Sequence, residues 1–366
     1  MRAPLSTRLP DFPWDTLAGD RKLAASHPGG LVDLSVGTPV DATPGFIQQA
    51  LANAADAPGY PTVWGTSALH EAIIGYLRRR WSVRNLTPQE VLPVIGTKEL
   101  VGWLPTLLGL GREDLVVIPP TAYPTYEVGA VMAGTQVQRC DHPQQVVGRP
   151  RLIWINSPAN PHGAVLTRGE LADWIDFARS SGALLASDEC YGEFAWDAEA
   201  TSILDDHLCA GDHAGLLAVH SLSKRSNLAG YRAGFLAGDA EVVGELLALR
   251  KHLGMMVPSP VQAAMVAALG DQHHVEEQRR RYLTRRDRMR TALTARGFRI
   301  DHSEGSLYLW ATRDEPCRDT VHWLAQRGIL VAPGDFYGPS GARHVRIAMT
   351  ATDERIEAAL SRLGAD

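Results

Sequence analysis

A lysine with hydroxyl neighbours is the feature of this sequence best suited to covalent chemistry. Lys224 follows an apolar run at residues 215–220 and stands close to Ser221 and Ser223, with Arg232 eight positions further on. A lysine held in a crevice can lose its proton and form an imine with an aldehyde. The serine hydroxyls and the arginine suit a phosphate. One small molecule that carries both groups is pyridoxal 5'-phosphate, and the sequence therefore predicts an enzyme that uses it.

The ring of that cofactor makes further demands on the protein. It needs a partner for the ring nitrogen, a donor to the ring oxygen and a surface against the ring face. Asp188, at the end of an apolar run, is suited to keep the ring nitrogen protonated. Tyr191 and Asn160 can donate to the ring oxygen, and Tyr123 can cover the ring. We therefore expect Lys224, Asp188 and Tyr191 to be the catalytic residues.

Two further positions suit anions. Thr97 and Lys98 follow Gly96 at the predicted start of a helix. There the free backbone amides and the helix dipole favour a phosphate. Arg346, in the segment HVRIAM, is a candidate clamp for a substrate carboxylate.

A different reaction also matches the lysine segment. Residues 221–224 fit the S-x-x-K motif of serine β-lactamases and penicillin-binding proteins, in which the serine is the nucleophile. That class also needs S-D-N and K-T-G, and neither string occurs in the chain. The nearest string, Ser187-Asp188-Glu189, precedes the lysine instead of following it. The pattern therefore favours the cofactor reading.

Short apolar runs alternate with helical patterns from about residue 66. The predicted strands are residues 91–95, 114–118, 136–139, 151–155, 183–187 and 216–220, and the predicted helices between them include 67–81, 98–108, 126–133 and 168–180. This alternation predicts an α/β fold with a buried, mostly parallel sheet covered by helices on both faces. Ligands of such sheets bind beyond the carboxyl ends of the strands, where the candidate residues lie.

The regular alternation of short strands and helices ends at about residue 255, which indicates a second domain of α+β type. We expect an irregular N-terminal arm at residues 1–30 and a large cofactor-binding domain at residues 46–254. The smaller α+β domain is expected to combine residues 31–45 with residues 255–366.

Composition limits the partners. The chain has 366 residues and a formal net charge of −5, which argues against a nucleic-acid-binding protein. Its four cysteines lack C-x-x-C spacing, so the sequence predicts reduced thiols and no metal site. No run approaches the roughly 20 apolar residues of a membrane span. We therefore expect a cytoplasmic protein without membrane or nucleic-acid partners.

Eight ordered motifs resemble those of fold-type I aminotransferases of class I and II, and the resemblance covers nearly the whole chain. They are G-x-P (37–39), Y-x4-G (60–65), G-x-K (96–98), Y-P (123–124), N-x-P-x-N-P-x-G (156–163), D-x-x-Y (188–191), S-x-S-K-x7-R (221–232) and R-I (346–347). The resemblance implies a pyridoxal-phosphate enzyme that forms a homodimer with shared active sites. It also implies that Tyr60 reaches the neighbouring subunit's phosphate and that Gly37 and Asn160 lie at the substrate.

Within that family, four blocks look like actinobacterial succinyldiaminopimelate aminotransferases. They are VDLSVGTPVD, VLPVIGTKELVGWLPTLLGLG, SDECYGEFAWD and AVHSLSKRSNLAGYRAGF. This likeness implies exchange of an amino group between glutamate and N-succinyl-2-amino-6-oxopimelate, by ping-pong kinetics through an imine at Lys224. His162, where a threonine is usual, and the pair Gly305-Ser306 depart from the pattern, and both are expected near the substrate pocket.

Other substrates and one other reaction stay open. An aminotransferase for aspartate, alanine or aromatic amino acids would carry the same motifs, and so would a C–S lyase of the same fold. A succinylated substrate also needs a cation for its distal carboxylate. Lys98, Arg225 and Arg250 are candidates, although Arg225, directly after the imine lysine, is expected to point elsewhere.

Overall fold

The structure is a computed structural model that describes residues 4–9 and 12–364. The helices are α1 Ala18–Ala25, α2 Gly45–Asn53, α3 Ser67–Trp81, α4 Thr97–Leu107, α5 Thr125–Ala133, α6 Arg168–Ser181, α7 Asp206–Cys209, α8 Leu222–Arg225, α9 Ala240–Leu253, α10 Ser259–Gly270, α11 His273–Ala295, α12 Cys317–Gln326 and α13 Asp353–Gly364. The strands are β1 Val32–Asp33, β2 Val91–Val94, β3 Leu115–Ile118, β4 Gln136–Arg139, β5 Pro150–Asn156, β6 Leu184–Asp188, β7 Leu216–Ser221, β8 Gly234–Gly238, β9 Arg299–Ile300, β10 Tyr308–Thr312, β11 Ile329–Leu330, β12 Ala332–Pro333 and β13 Val345–Ala348.

A seven-stranded sheet in the order β2-β8-β7-β6-β5-β3-β4 forms the centre of the fold. β8 runs antiparallel to both of its neighbours, and the other neighbouring pairs are parallel. Every residue of β2, β6, β7 and β8 is buried. Strands covered on both faces need continuous apolar sequence, which is why these runs lack the polar alternation of a half-exposed strand.

Successive side chains of the sheet enter two different cores. In β7, Leu216 and Ala218 join one core, whereas Leu217 and Val219 join the other. The first core is covered by α3, α6 and α10, and the second by α4, α5 and α9. The period-2 geometry of a strand requires this division. Both faces of the sheet are therefore closed, and its polar residues lie at the strand ends.

A smaller sheet in the order β12-β13-β10-β9 belongs to the second part of the chain. The N-terminal strand β1 pairs in parallel with β11, as residues Val32 and Ile329 show, so the chain start is fixed to this part. A third apolar core lies here and includes Leu309, Ile347 and Met289.

Two details differ from the sequence-based expectation. The predicted irregular arm at residues 1–30 contains helix α1, whose Ala24 is buried against Ala325 and Leu330. The alanines and charged residues of this segment are good helix formers, and packing on α12 supplies the stabilisation that a two-turn helix lacks alone. In addition, α10 packs on α2 and α3 in the first core, although the predicted boundary at residue 255 assigns it to the small domain. The domain boundaries otherwise stay a prediction.

Candidate active site

Three neighbouring strands end in polar residues at one edge of the central sheet. Asn156, Asp188 and Ser221 are the last residues of β5, β6 and β7. Asn156 pairs in register with Asp188. The sequence-based strands stopped one residue earlier at each of these places, because polar residues do not look like strand interiors. The three residues therefore lie at the carboxyl ends of adjacent strands, where an α/β sheet binds its ligands.

Lys224 lies on α8, the single helical turn that follows β7. The Ser221 side chain begins this turn by accepting a hydrogen bond from the Ser223 amide at 3.1 Å. The Lys224 ammonium donates to the carbonyl oxygen of Gly37. Burial lowers the pKa of Lys224, and the positive charges of Arg346 and Arg232 lower it further. An amine with a lowered pKa is neutral, and so able to act as a nucleophile or base, in a larger fraction of molecules at a given pH than an ordinary lysine.

Asp188 is a buried carboxylate with two donors. Its Oδ1 accepts from the Cys190 amide at 3.2 Å, and its Oδ2 accepts from the Tyr126 hydroxyl at 2.8 Å. Burial raises the pKa of Asp188, whereas hydrogen bonds from Cys190 and Tyr126 oppose that rise. Sequence reasoning missed Tyr126. Tyr123 lies before α5 and Tyr126 lies within it, so no helical spacing marked Tyr126, whose contact with Asp188 joins segments 62 positions apart.

Two tyrosines meet on the other side of the lysine. The hydroxyls of Tyr191 and Tyr308 lie 2.8 Å apart, and burial raises the pKa of Tyr191 well above its usual range. A Cβ atom at Gly37 would collide with the Tyr308 hydroxyl, so only glycine fits there. Tyr308 was not singled out from the sequence, since an apolar strand tyrosine carries no local sign of a site. Burial also raises the pKa of Tyr123, to about 12.

Arg232 lies against the glycine turn that precedes α4. Gly96 has a φ of 86°, and a Cβ atom there would collide with the Arg232 guanidinium. Arg232 donates to the Ala229 carbonyl at 2.9 Å, which leaves further donors on its fork. The Thr97 hydroxyl, at the start of α4, accepts from the Cys190 thiol at 3.4 Å. This arrangement places a guanidinium, a hydroxyl and a helix N-terminus together, as a phosphate requires.

The Arg346 guanidinium is buried and enclosed by aromatic rings. It donates to the Asn160 side-chain oxygen at 2.9 Å and to the Ser35 carbonyl at 2.6 Å. Its centre lies 4.0 Å from the centroid of the Tyr308 ring and 5.1 Å from that of Tyr337. Within the described part of the chain, its Nε atom is buried without a hydrogen-bond partner. An unsatisfied donor on a buried arginine suits a carboxylate ligand.

The three side chains considered as cations for a distal carboxylate have different partners in the structure. Arg225 is buried and donates to the Ala268 carbonyl at 3.0 Å, and it therefore points away from the site as expected. Arg250 is fully buried and makes two hydrogen bonds, at 3.1 and 3.0 Å, to Glu99. Both guanidiniums are thus committed to internal partners. Lys98 is exposed, and its ammonium lies 6.0 Å from the centroid of the Phe12 ring.

The other residues singled out from the sequence differ in their exposure and contacts. Tyr60 is 98% exposed and points away from the chain. His162 packs against His302, with ring centroids 5.2 Å apart, and burial lowers its pKa to about 3, so the imidazole is neutral. Ser306 is completely buried, and its carbonyl oxygen accepts a hydrogen bond from Trp196 at 2.8 Å.

The residues present fit pyridoxal phosphate. The phosphate group matches Arg232, Thr97 and the glycine cradle, in which any side chain at residue 96 would displace the guanidinium. The ring nitrogen matches the buried carboxylate of Asp188, and the aldehyde matches Lys224. Among residues 4–9 and 12–364, no group of three or more potential ligands could hold a metal ion, and no helix is long and apolar enough to span a bilayer.

Comparisons with known proteins agree with this geometry. Residues 30–363 match the family "Aminotransferase class I and II". A probable aminotransferase of Mycobacterium tuberculosis is 60% identical over 363 residues, covering 99% of this chain and 87% of that protein. The 4-dedimethylamino-4-oxo-anhydrotetracycline transaminase OxyQ of Streptomyces rimosus is 56% identical over 356 residues, with 97% and 99% coverage. An LL-diaminopimelate aminotransferase of Dehalococcoides mccartyi is more distant, at 29% identity over 98% of both chains.

A solved structure has the same fold. The aminotransferase from Neisseria meningitidis superimposes with a TM-score of 0.90 at 29% identity, covering 98% of each chain. The predicted fold-type I architecture and the predicted cofactor, pyridoxal 5'-phosphate, are thereby confirmed. With its sheet-edge lysine, buried carboxylate and buried arginine, this chain belongs to the class I and II aminotransferases, which depend on that cofactor.

Proposed function

We propose that the protein transfers an amino group from glutamate to N-succinyl-2-amino-6-oxopimelate, giving 2-oxoglutarate and N-succinyl-diaminopimelate. One observation carries the proposal: two cations are available for two separate carboxylates. Arg346 is buried beside Lys224, and Lys98 stands exposed next to Thr97 without an ion-pair partner among the described residues. Both glutamate and the succinylated substrate carry a second, distal carboxylate. Likeness of the sequence blocks and the name of the diaminopimelate-specific relative support this substrate class.

The bound cofactor supplies a conjugated, electron-withdrawing ring that makes the substrate's Cα–H bond acidic. Lys224 would hold the cofactor and then act as the base that moves the Cα proton, for which its lowered pKa is suited. Asp188 would face the ring nitrogen, Tyr191 and Asn160 the ring oxygen, and Tyr123 the ring face. Arg232, Ser221, Ser223 and Thr97 would hold the phosphate.

The chain's own contacts orient these groups before any ligand binds. The Gly37 carbonyl fixes the Lys224 ammonium, and Tyr308 fixes the Tyr191 hydroxyl at 2.8 Å. Asn156 accepts from the Asn160 amide at 2.7 Å and so holds the loop that carries Asn160. Arg346 would bind the carboxylate next to the reacting carbon, which places the Cα proton toward Lys224. Orientation of this kind supplies a large part of enzymatic rate acceleration.

We further propose a cytoplasmic homodimer in which Tyr60 reaches the phosphate of the neighbouring subunit. The nearly complete exposure of Tyr60 supports this arrangement, as does the exposure of Val40 and Phe46. The four cysteines, all free in the structure, agree with a reducing compartment. Sedimentation would give the subunit number. Tyr60→Phe should weaken cofactor binding in a dimer and leave it unchanged if the chain acts alone.

The decisive test follows the absorbance of the bound cofactor, near ~420 nm for a protonated imine. Purified enzyme would be mixed separately with N-succinyl-diaminopimelate, glutamate, aspartate, alanine or phenylalanine. We expect rapid loss of the band with the first two donors only. Conversion by the other donors and none by the succinylated one would keep the aminotransferase and reject the substrate. Release of pyruvate and ammonia from cystathionine would instead indicate a C–S lyase.

Lys98 allows a sharper version of this test. Lys98→Met should raise KM for glutamate and for the succinylated donor, because both carry a distal carboxylate, and should leave the much slower conversion by alanine, which has none, unchanged. The exposed Lys251 of α9 provides the matched control, Lys251→Met. Equal effects on all three donors would remove Lys98 from substrate recognition.

The 56% identity to OxyQ supports a second candidate, in which the amino acceptor is a ketone on a fused ring system. Such an acceptor has no α-carboxylate to pair with Arg346. The two candidates can therefore be separated with Arg346→Lys. When the enzyme has first been charged with an amino group, this substitution should impair the second half-reaction with a keto acid far more than the second half-reaction with a cyclic ketone.

A further inference from the structure

A buried polar network that the chemistry of transamination does not use lies behind Lys224. Arg225, the residue after this lysine, is only 3% exposed. Its Nη1 donates to the Ala268 carbonyl at 3.0 Å and to the Ser226 hydroxyl at 3.2 Å, and its guanidinium lies 4.8 Å from the centroid of the Tyr76 ring. Burying an arginine is costly unless it is paired, so this position needs an explanation.

The paired carboxylate is Glu193, which follows Tyr191 by two positions. Glu193 is 7% exposed, and its Oε1 lies 3.6 Å from the Arg225 Nε. It also accepts from Tyr76 at 3.0 Å and from Arg80 at 3.0 Å. Burial would raise the pKa of Glu193, but Arg225 and Arg80 outweigh burial and lower it. The carboxylate is therefore ionised and its charge is compensated inside the protein.

A second set of contacts fixes the same turn from another direction. The Ser226 hydroxyl lies 2.8 Å from Nε2 of His274, and Nδ1 of His274 lies 2.6 Å from Asp271. Ala268, Asp271 and His274 all belong to the junction between α10 and α11. The turn that carries Lys224 is thus bonded at two consecutive residues to a segment outside the sheet.

We infer that Arg225 and Glu193 are positioning residues that hold the Lys224 amine and the Tyr191 hydroxyl at a fixed separation. Lys224 follows strand β7, and Tyr191 follows the neighbouring strand β6. Arg225 is the residue after Lys224, and Glu193, its ion-pair partner, is two residues after Tyr191. One ion pair therefore ties both catalytic segments together. The inference rests on the proposed roles of Lys224 and Tyr191. A displacement of about 1 Å at such groups can lower a rate by roughly 10²-fold.

The test compares Arg225→Met, Arg225→Lys and Glu193→Gln in the cofactor-loaded enzyme. For each variant we would measure the half-reaction rate at saturating glutamate per bound cofactor, the Kd for glutamate, and the pH titration of the visible band without substrate. His213→Gln is the matched control, because His213 pairs with Glu90 at 2.7 Å in a buried site outside this network. The melting temperature of every variant would also be measured.

We expect the maximal rate to fall about tenfold or more in Arg225→Met and Glu193→Gln, with the Kd for glutamate nearly unchanged because Arg346 is untouched. The midpoint of the band's pH titration should shift in both variants, because the amine changes its surroundings. Arg225→Lys keeps the charge and should recover part of the rate. A double variant that combines Arg225→Met with Glu193→Gln, measured in the same way, should lose less than the product of the two single losses, as members of one network do. His213→Gln should lower the melting temperature alone.

Normal rates and an unshifted titration in Glu193→Gln would overturn the inference, even with a lowered melting temperature, and would leave the pair a purely structural role. Glu193→Gln keeps the shape of the side chain. It therefore tests the positioning role even if Arg225→Met does not fold. Failure of the proposed function would look different. It would show as retained turnover in Lys224→Ala, which does not touch the buried pair.

Discussion

The cofactor half of the site and its carboxylate half are built by different means. On the cofactor side, Asn156, Asp188 and Ser221 end three adjacent strands, so sheet pairing alone brings them together. On the carboxylate side, Arg346 bonds to Ser35, which is 311 positions away in the sequence. The first half follows from one regular structure. The second needs β13, the N-terminal segment and the Asn160 loop to meet.

This difference predicts how each half responds to damage. A sheet edge is held by many backbone hydrogen bonds, so a side chain can be removed there without moving its neighbours. The Arg346 guanidinium, in contrast, is held by two carbonyl oxygens and two aromatic rings. If any one of these partners is removed, the buried charge of Arg346 is less well compensated, which is costly inside a protein. The predictions below separate the two halves.

The largest effect is expected from Lys224→Ala, which breaks the cofactor half. The visible absorbance of the bound cofactor should disappear, and turnover should fall by roughly 10⁴-fold or more, because both covalent attachment and proton transfer are lost. Absorbance spectra and steady-state rates would measure this, with Lys251→Met as the control lysine. Retention of both signals would refute the role assigned to Lys224.

Arg346→Lys should break the carboxylate half alone. An ammonium cannot replace the planar fork, so kcat/KM for glutamate should fall by about 10²-fold. The visible band should stay, since the cofactor residues are untouched. Spectra and kinetics on the same preparation would test this separation. A lost band would show that the two halves are not independent.

Tyr126→Phe probes a link within the cofactor half. It removes the hydroxyl that donates to Asp188 at 2.8 Å, a bond worth about 1 kcal/mol, and the rate should fall roughly three- to tenfold. Burial already raises the pKa of Asp188, and losing a donor to the carboxylate should raise it further. The carboxylate would then be protonated at higher pH. The acid limb of the kcat profile should therefore move to higher pH, and an unmoved limb would contradict the assignment.

The smallest effect on activity concerns a pair outside the site. Burial lowers the pKa of His213, but hydrogen bonds to Cys209 and Glu90 outweigh it and raise the pKa to about 9. A raised pKa stabilises the fold fully below the unfolded value of about 6.5, and this stability is lost as pH rises through about 9. Unfolding at several pH values should show a decline on the order of 3 kcal/mol, which His213→Gln should remove without changing the rate.

For the cofactor half, the sequence predicted which residues lie close together, and it did so for a physical reason. Apolar runs must be buried strands, and polar residues just after them must lie at a ligand-binding edge. Lys224, Asp188 and the Gly96 turn were found in this way. Tyr126 and Tyr308 were missed, because their roles depend on which side chains meet across elements. Arg225 and Arg250 were offered as substrate cations, yet their carboxylate neighbours, Glu193 and Glu99, could not be identified from spacing.

The sequence by itself determined the α/β alternation, the order of the motifs and the residue types at each strand end, because these depend on local patterns of polarity. The tertiary structure decided which charges are free and which are already paired. Arg346 has no carboxylate partner in the described chain, whereas Arg250 has both terminal nitrogens on Glu99. The two arginines look alike in sequence. Their difference arises only when segments far apart in the chain pack together and exclude water, since a buried charge must then find its partner in the protein or in a ligand.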